Sequence, residues 1–140
     1  MSLRQQLVDA ALCWERTFGV APAITGALSE YDAACLVGHT DASLAFDCIG
    51  RISDTRGCDF TFQGLSYQVK ANRPSGKPAS LVTLVPKAKN YGWHRLLWLL
   101  YKRDYVLQEA WEWEVEAYRA AFDRKKRLSP SDMRRGKRLR

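Results

Sequence analysis

The sequence predicts an α/β fold of the α+β kind, in which helices flank a mixed β-sheet of about four strands. Residues 58–71 alternate apolar and polar side chains in two runs around Gln63-Gly64, which is typical of a β-hairpin. Residues 93–102 form a dense apolar run, which is typical of a buried strand. Segments with a helical period precede and follow these strands, so the predicted sheet has helices on both sides.

Length and composition predict one globular domain. The chain has 140 residues, 46% of them hydrophobic, which is enough for a core. We assign residues 1–123 to this domain, with an N-terminal helix at 2–18 and the core at 28–123, and residues 124–140 to a basic tail. No apolar run reaches membrane-spanning length, no signal peptide is visible, and four widely spaced cysteines favour free thiols. We therefore expect a cytoplasmic protein without a membrane partner.

Two helices are predicted before the hairpin. The first begins at a capping box of Ser2 and Gln5 and ends at Gly19. Its packing face is predicted to be one apolar row at helical spacing: Leu3, Leu7, Ala11, Trp14 and Phe18.

The second helix is predicted to begin at Ser29 and to end at Gly38. Glu30 and Asp32 lie in its first turn. Two interpretations of Glu30 remain open: the helix dipole alone favours an acid there, or the carboxylate contributes to a site. Asp32 is assigned to the cap.

The hairpin places three polar side chains on one face. If its turn is Gln63-Gly64, the residue opposite Asp59 is Gln68. Side chains alternate between the faces of a strand, so Asp59, Gln68 and Lys70 share one face and the apolar residues form the other. The same alternation is also expected of an ordinary hairpin with one solvated face.

The remaining elements follow from the chain in order. Residues 79–91 are predicted as a helix or an irregular crossover, since Pro86 disfavours a full helix. Residues 93–102 and 105–113 are predicted as paired strands, although the length of the first also permits a helix. A closing helix follows from residue 114, and a short tail helix from Ser129 to Gly136.

The charge distribution indicates a polyanionic partner. The net charge is +7, and residues 124–140 hold nine Lys and Arg residues against Asp132 alone. No acid occurs between Phe60 and Arg103, where eight residues are basic. Such clusters favour phosphate contacts, and a solvated, disordered tail is the alternative for 124–140. The predicted DNA contacts are Arg56, Arg73, Lys77, Lys87 and Lys89.

An acid, an amide and an ammonium on one face suit a divalent cation beside a phosphate. The residues Cys58-Asp59 followed by Gln68-Val69-Lys70 resemble the PD-(D/E)xK nuclease superfamily, which includes restriction endonucleases and Holliday-junction resolvases. Cys58 stands where the superfamily name has Pro, and Gln68 stands where it has an acid.

This resemblance covers about residues 28–118 and implies a restriction-endonuclease-like core with a Mg²⁺ or Mn²⁺ site. It implies that Asp59, Gln68 and the Val69 carbonyl hold the metal, that Glu30 completes it, and that Lys70 assists attack on phosphorus. The implied activity is metal-dependent endonucleolytic cleavage of DNA, and many related enzymes are homodimers. The alternative is a nucleic-acid-binding or protein-interaction module that keeps the fold without catalysis.

Overall fold

The computed structural model describes residues 1–39 and 58–140. Helix α1 spans Leu3–Phe18, and Ser2 caps it by accepting the Gln5 backbone N–H at 3.1 Å. The Gln5 side chain donates to Asp9 instead of returning to Ser2, so only half of the predicted capping box forms. The helix ends as predicted at Gly19, whose φ of 79° is the left-handed conformation that glycine adopts readily.

Of the predicted packing face of α1, only Ala11 is buried. Val8 and Ala11 are buried, whereas Leu3, Trp14 and Phe18 are 81%, 53% and 63% exposed. Long-range ion pairs decide which side of the helix faces the protein. Arg4 binds Asp32 with two hydrogen bonds of 2.7 and 2.8 Å, and Glu15 binds Arg73 at 2.9 Å.

Helix α2 spans Thr25–Leu36 and begins four residues before the predicted Ser29. Ser29 is buried inside the helix, where its hydroxyl donates to the Gly26 carbonyl oxygen at 2.9 Å. Asp32 does not cap the helix. It binds Arg4 and accepts the Tyr101 hydroxyl at 2.6 Å, so a tertiary contact uses the carboxylate that the local pattern assigned to a cap.

The hairpin forms with the predicted register. Strands β1 (Phe60–Phe62) and β2 (Leu65–Asn72) are antiparallel and pair Phe60 with Tyr67 and Phe62 with Leu65. The two turn residues, Gln63 and Gly64, have φ values of 51° and 79°. Two positive φ angles match the type I′ turn, whose twist suits a two-residue hairpin loop.

Five strands form one mixed sheet in the order β1-β2-β3-β4-β5. Strand β3 (Arg95–Tyr101) is parallel to β2, and β4 (Leu107–Glu114) is antiparallel to β3. The crossover between β2 and β3 is irregular and contains no helix. It is held by Asn72, whose amide donates to the Leu84 carbonyl oxygen at 3.0 Å, and by a bridge between Val85 and Leu128.

The tail packs onto the domain. Helix α3 spans Val115–Phe122, and the predicted tail helix is α4, Pro130–Met133, with a complete capping box between Ser129 and Asp132. Strand β5 (Lys137–Arg138) was not predicted and pairs with β4 at the edge of the sheet.

Each face of the sheet carries its own hydrophobic core. The first core lies between the sheet and the two N-terminal helices and includes Phe60, Tyr67 and Val69. The second core contains Trp98, Trp113, Tyr118, Phe122 and Met133, and it lies on the side of the crossover and the tail. Because strand side chains alternate, Gln68 and Lys70 project from the face opposite to Tyr67 and Val69.

Candidate active site

The candidate site begins at Asp59, directly before β1. Its backbone N–H donates to the Tyr67 carbonyl oxygen at 2.7 Å, which extends the hairpin ladder by one bond. Its carboxylate oxygen Oδ2 accepts the Val69 backbone N–H at 2.7 Å and the Gln68 side-chain amide at 3.0 Å. The acid and the amide that the hairpin register predicted to be neighbours are therefore in contact.

Glu30 reaches the same carboxylate from α2. A side-chain hydrogen bond joins Glu30 and Asp59, so two acids separated by 29 positions in the sequence meet at one point. Two carboxyl groups can hydrogen-bond only when a proton lies between them. The structure therefore places Glu30 beside Asp59, and the metal-binding role of Glu30 stays a prediction.

The electrostatics of Asp59 are unusual for an acid beside an amine. Burial raises the pKa of Asp59 above its ordinary value, and this effect outweighs three others that lower it. Those three are the backbone N–H of Val69, the positive charge of Lys70 and the hydrogen bond with Glu30. The carboxylate is therefore held where its charge is poorly solvated, as in many sites that bind a cation.

Lys70 completes the group on the same face of β2. Burial lowers the pKa of Lys70, the nearby carboxylate of Asp59 raises it, and the positive charge of Lys89 lowers it further. Lys89 lies in the crossover and is exposed. Lys70 is thus a half-buried amine between an acid and a second amine, and the loss of its proton is easier than for a lysine in water.

The donor set fits a hard divalent cation. Asp59 and Glu30 carry carboxylate oxygens, and Gln68 carries an amide oxygen in addition to the amide nitrogen that faces Asp59. The N–H and C=O groups of one strand residue point toward the same edge, so the Val69 carbonyl faces the side on which its N–H meets Asp59. Within residues 1–39 and 58–140, no cluster of three His, Cys, Asp or Glu side chains suits a metal, so this set depends on Gln68 and a carbonyl.

The predicted DNA contacts differ in what they touch. Lys77 and Lys89 are exposed on the crossover. Lys87 donates to the carbonyl oxygens of Asp123 and Lys125, both at 2.9 Å, so it ties the crossover to the end of α3. Arg56 lies outside the described residues.

Arg73 does not fit the predicted phosphate contact. Its side chain is only 7% exposed, and its guanidinium binds the Glu15 carboxylate and the Arg103 carbonyl oxygen. The same group lies 4.1 Å from the centre of the Tyr105 ring. The loop composition could not reveal this role, because Glu15 and Tyr105 are distant in the sequence.

Two further residues on the face of β2 that carries Gln68 and Lys70, Asn72 and Ser66, were not predicted as part of the site. Asn72 continues the row of Gln68 and Lys70; its side-chain oxygen accepts the Trp98 indole N–H at 2.9 Å while its amide holds the crossover. At the other end of the row, the His94 Nδ1 atom accepts the Ser66 backbone N–H at 2.9 Å, which leaves the proton of the neutral ring on Nε2. The two-residue period of β2 was the signal for Asn72 and Ser66.

Comparison with known proteins identifies no relative. No protein-family model matches this chain, and no curated protein matches its sequence. In the part of the chain that the structure describes, no helix combines the length and the apolar character needed to cross a bilayer.

Proposed function

We propose that this chain is a metal-dependent DNA endonuclease of the PD-(D/E)xK type. One observation carries the proposal: the half-buried Asp59 carboxylate accepts the Val69 N–H at 2.7 Å and the Gln68 amide at 3.0 Å, on the strand that also carries half-buried Lys70, and Glu30 lies beside it. Burying two acids together costs free energy, and a bound cation offsets that cost as well as a proton does. Because burying these acids costs stability, their arrangement favours a role in binding over a role in stabilising the fold.

The proposed roles follow from the chemistry of each side chain. Asp59, Glu30, Gln68 and the Val69 carbonyl would hold Mg²⁺ or Mn²⁺, which when bound would activate water and neutralise negative charge on the phosphate oxygens. Lys70 donates to the phosphate oxygens and offsets the negative charge that grows there. The Asp59 carboxylate keeps its orientation through the Val69 N–H, so the geometry does not depend on the metal alone.

A polyanionic substrate fits the charges near the site. The crossover follows the site strand directly and presents Lys77 and Lys89 to solvent. Exposed cations beside a metal site strengthen the binding of a phosphate backbone. We propose DNA as this substrate and the cytoplasm as the location, since reduced thiols such as that of Cys13 are the usual state there.

A second candidate function is a nucleic-acid-binding module without catalysis. It is favoured by Gln68, whose amide already donates to Asp59 and whose neutral group binds a metal less strongly than a carboxylate. In this alternative the Gln68 bond keeps Asp59 in place without a cation.

Cleavage assays separate the two candidates. Plasmid, branched and single-stranded DNA are incubated with Mg²⁺ or Mn²⁺ and with the parent, Asp59→Ala and Lys70→Ala proteins. If the chain is an endonuclease, we expect DNA cleavage that requires the divalent ion and is lost in the Asp59→Ala and Lys70→Ala proteins. Lys102→Ala is the matched control, since it removes an exposed lysine from the β3–β4 turn.

Salt-dependent DNA binding without any cutting would instead support the module. In that case the slope of log affinity against log salt reports the number of phosphate contacts.

A further inference from the structure

The guanidinium of Arg73 is oriented by contacts other than its ion pair with Glu15. Its Nε and Nη2 atoms both donate to the carbonyl oxygen of Arg103, and its Cζ atom lies 4.1 Å from the centre of the Tyr105 ring. Tyr105 has a φ of 64°, a left-handed conformation that a bulky side chain adopts only with strain, and such strain clusters at functional sites. The β3–β4 turn therefore holds the guanidinium in a position that does not depend on Glu15.

Glu15 fills the open side of this guanidinium. Its Oε1 and Oε2 atoms accept hydrogen bonds from the Nη2 and Nη1 atoms of Arg73 at 2.9 and 3.2 Å. The carboxylate also lies against the backbone of Gly76, where an added Cβ atom would stand 2.9 Å from one oxygen and 3.2 Å from the other. Glycine permits such a close approach of the backbone to a ligand, and an arginine fork binds phosphate with the same two bonds that it offers to a carboxylate.

The end of α1 that carries Glu15 has little other attachment to the domain. Leu12 packs against the first core, and every residue after it up to Phe18 is exposed except Glu15. A helix end with little buried surface opens at a low cost in free energy. Because an unpaired guanidinium is unfavourable when it is as buried as that of Arg73, the release of Glu15 favours another anion in its place.

The loop around this position favours a phosphate group as that anion. The loop continues directly from β2, contains no acid, and exposes Ser75 and Lys77 on either side of Gly76. Among the described residues, the carboxylate bound to Arg73 is that of Glu15 alone. A phosphate has more acceptor oxygens than a carboxylate, so it can bind the arginine fork and a loop cation together.

We propose that Arg73 and Gly76 form a binding site for a phosphate group, and that Glu15 fills this site in the free protein. The phosphate belongs to a nucleic-acid strand or to a small phosphorylated compound, since the same hydrogen bonds recognise both. Its binding displaces the Glu15 carboxylate and detaches the last turn of α1. The inference does not depend on the nuclease proposal, because the site lies on the crossover and requires no metal.

Binding assays in EDTA test the site in the absence of cleavage. A short labelled oligothymidine is titrated with the parent, Glu15→Gln and Asp9→Asn proteins, and inorganic phosphate is titrated separately by calorimetry. Asp9→Asn is the matched control, since it removes the same charge from an exposed position on α1.

Glu15→Gln should lower the oligothymidine Kd about tenfold, because the arginine fork gains a charged partner from the ligand. The slope of log affinity against log salt should become steeper by about 0.7, the value for one phosphate of a single strand. A tenfold gain for inorganic phosphate alone would identify a small phosphorylated compound as the ligand.

Gly76→Ala tests the position of the anion and leaves Arg73 unchanged. The three atoms nearest to the added Cβ all belong to the Glu15 carboxyl group, so the substitution fills the space that the anion needs. In the Glu15→Gln background it should cancel the gain in affinity. Gly26→Ala should not, because an added Cβ there meets nothing within 4 Å.

Circular dichroism establishes that each variant is folded before its affinity is compared. Equal affinities of Glu15→Gln and Asp9→Asn for both ligands would overturn the proposal, and so would a gain that survives Gly76→Ala. Either result would leave Arg73 and Glu15 as an ion pair that only attaches α1 to the domain.

Discussion

Two regions of this protein bring acids and bases together, and they do so in opposite ways. At the tail, Arg134 binds Glu109 with two hydrogen bonds of 2.7 and 2.8 Å, and this contact lowers the pKa of Glu109. At the hairpin, Asp59 lies near Lys70 and yet has a raised pKa, because the effect of burial outweighs the lowering effects of the Val69 N–H, the Lys70 charge and the hydrogen bond with Glu30.

The comparison distinguishes two kinds of charged group. The Arg134–Glu109 pair at the tail stabilises the fold, whereas the charged groups at the hairpin are kept in place by the fold. Arg134 and Glu109 neutralise each other's charge and share two hydrogen bonds, so the pair stabilises the attachment of the tail to the sheet. The hairpin keeps its polar groups crowded and incompletely neutralised, which is typical of sites that act on a ligand. Five substitutions break or sharpen this contrast, in order of expected effect.

The largest effect is expected on cleavage. Asp59→Asn or Glu30→Gln should lower the rate of metal-dependent DNA cutting by about a thousandfold or more, since each removes a proposed metal ligand. The free energy of unfolding should stay the same or increase, because a poorly solvated acid is replaced by a neutral amide. Cleavage rates and urea denaturation measure the two quantities separately.

Asp104→Asn, on the β3–β4 turn, is the matched control for these variants. If Asp59→Asn unfolded the protein, the acid would belong with the structural charges and the contrast would fail.

The opposite result is expected at the tail. Met133 is fully buried in the second core, and Met133→Ala should lower the free energy of unfolding by about 2–5 kcal/mol through the cavity it leaves. Cleavage per folded molecule should be unchanged. Leu81→Ala, at an 83% exposed position, should alter stability by less than about 0.5 kcal/mol in the same urea titration.

A smaller, pH-dependent effect is expected for the tail ion pair. Arg134→Met should cost about 1–2 kcal/mol at pH 7, since the Arg134 side chain is 41% exposed and solvent weakens the pair. The pKa of Glu109 is lowered in the folded state, so its contribution is present above the unfolded pKa and is lost as pH falls through the folded value.

The stability difference between the parent and Arg134→Met should therefore narrow below about pH 4.5. Thermal unfolding at pH 7, 5 and 3 measures it, with Arg124→Met as the exposed control. A difference that widens in acid would show that Glu109 does not act through Arg134.

The smallest effect is expected at the hairpin turn. Gln63 has a φ of 51°, which most side chains adopt only with strain, and asparagine tolerates it better. Gln63→Asn should raise the free energy of unfolding by a few tenths of a kcal/mol and leave cleavage unchanged, because Asp59 is at the other end of the hairpin. Denaturation and cleavage assays on one preparation would reveal any coupling of the turn to the site.

The site could be predicted to the extent that it lies within one hairpin. A two-residue turn determines the register, and the register places Asp59 against Gln68 with Lys70 on the same face. The assignment of Glu30 to the site depended on the resemblance to the PD-(D/E)xK superfamily, since no local sequence pattern relates α2 to β1. Lys89 was predicted as a DNA contact but not as a neighbour of Lys70, because an irregular crossover has no periodicity that locates its side chains.

The incorrect predictions concern contacts between distant parts of the chain. Asp32 pairs with Arg4 of α1 instead of capping α2, so a long-range ion pair replaces the local pattern there. Strand β5 is two residues long and forms only because the edge of β4 is available to it. Local propensities carry little information about such contacts, since their partners are far away in the sequence.

The attachment of the crossover to the tail affects the order in which segments of the protein can fold during synthesis. The Val85 backbone N–H donates to the Leu128 carbonyl oxygen, and Lys87 is tied to the carbonyl oxygens of residues 123 and 125. Synthesis releases the N-terminal segments first. A nascent chain can therefore form its hairpin early, but the segment that carries Lys89 gains its anchor only after residues 123–128 have left the ribosome.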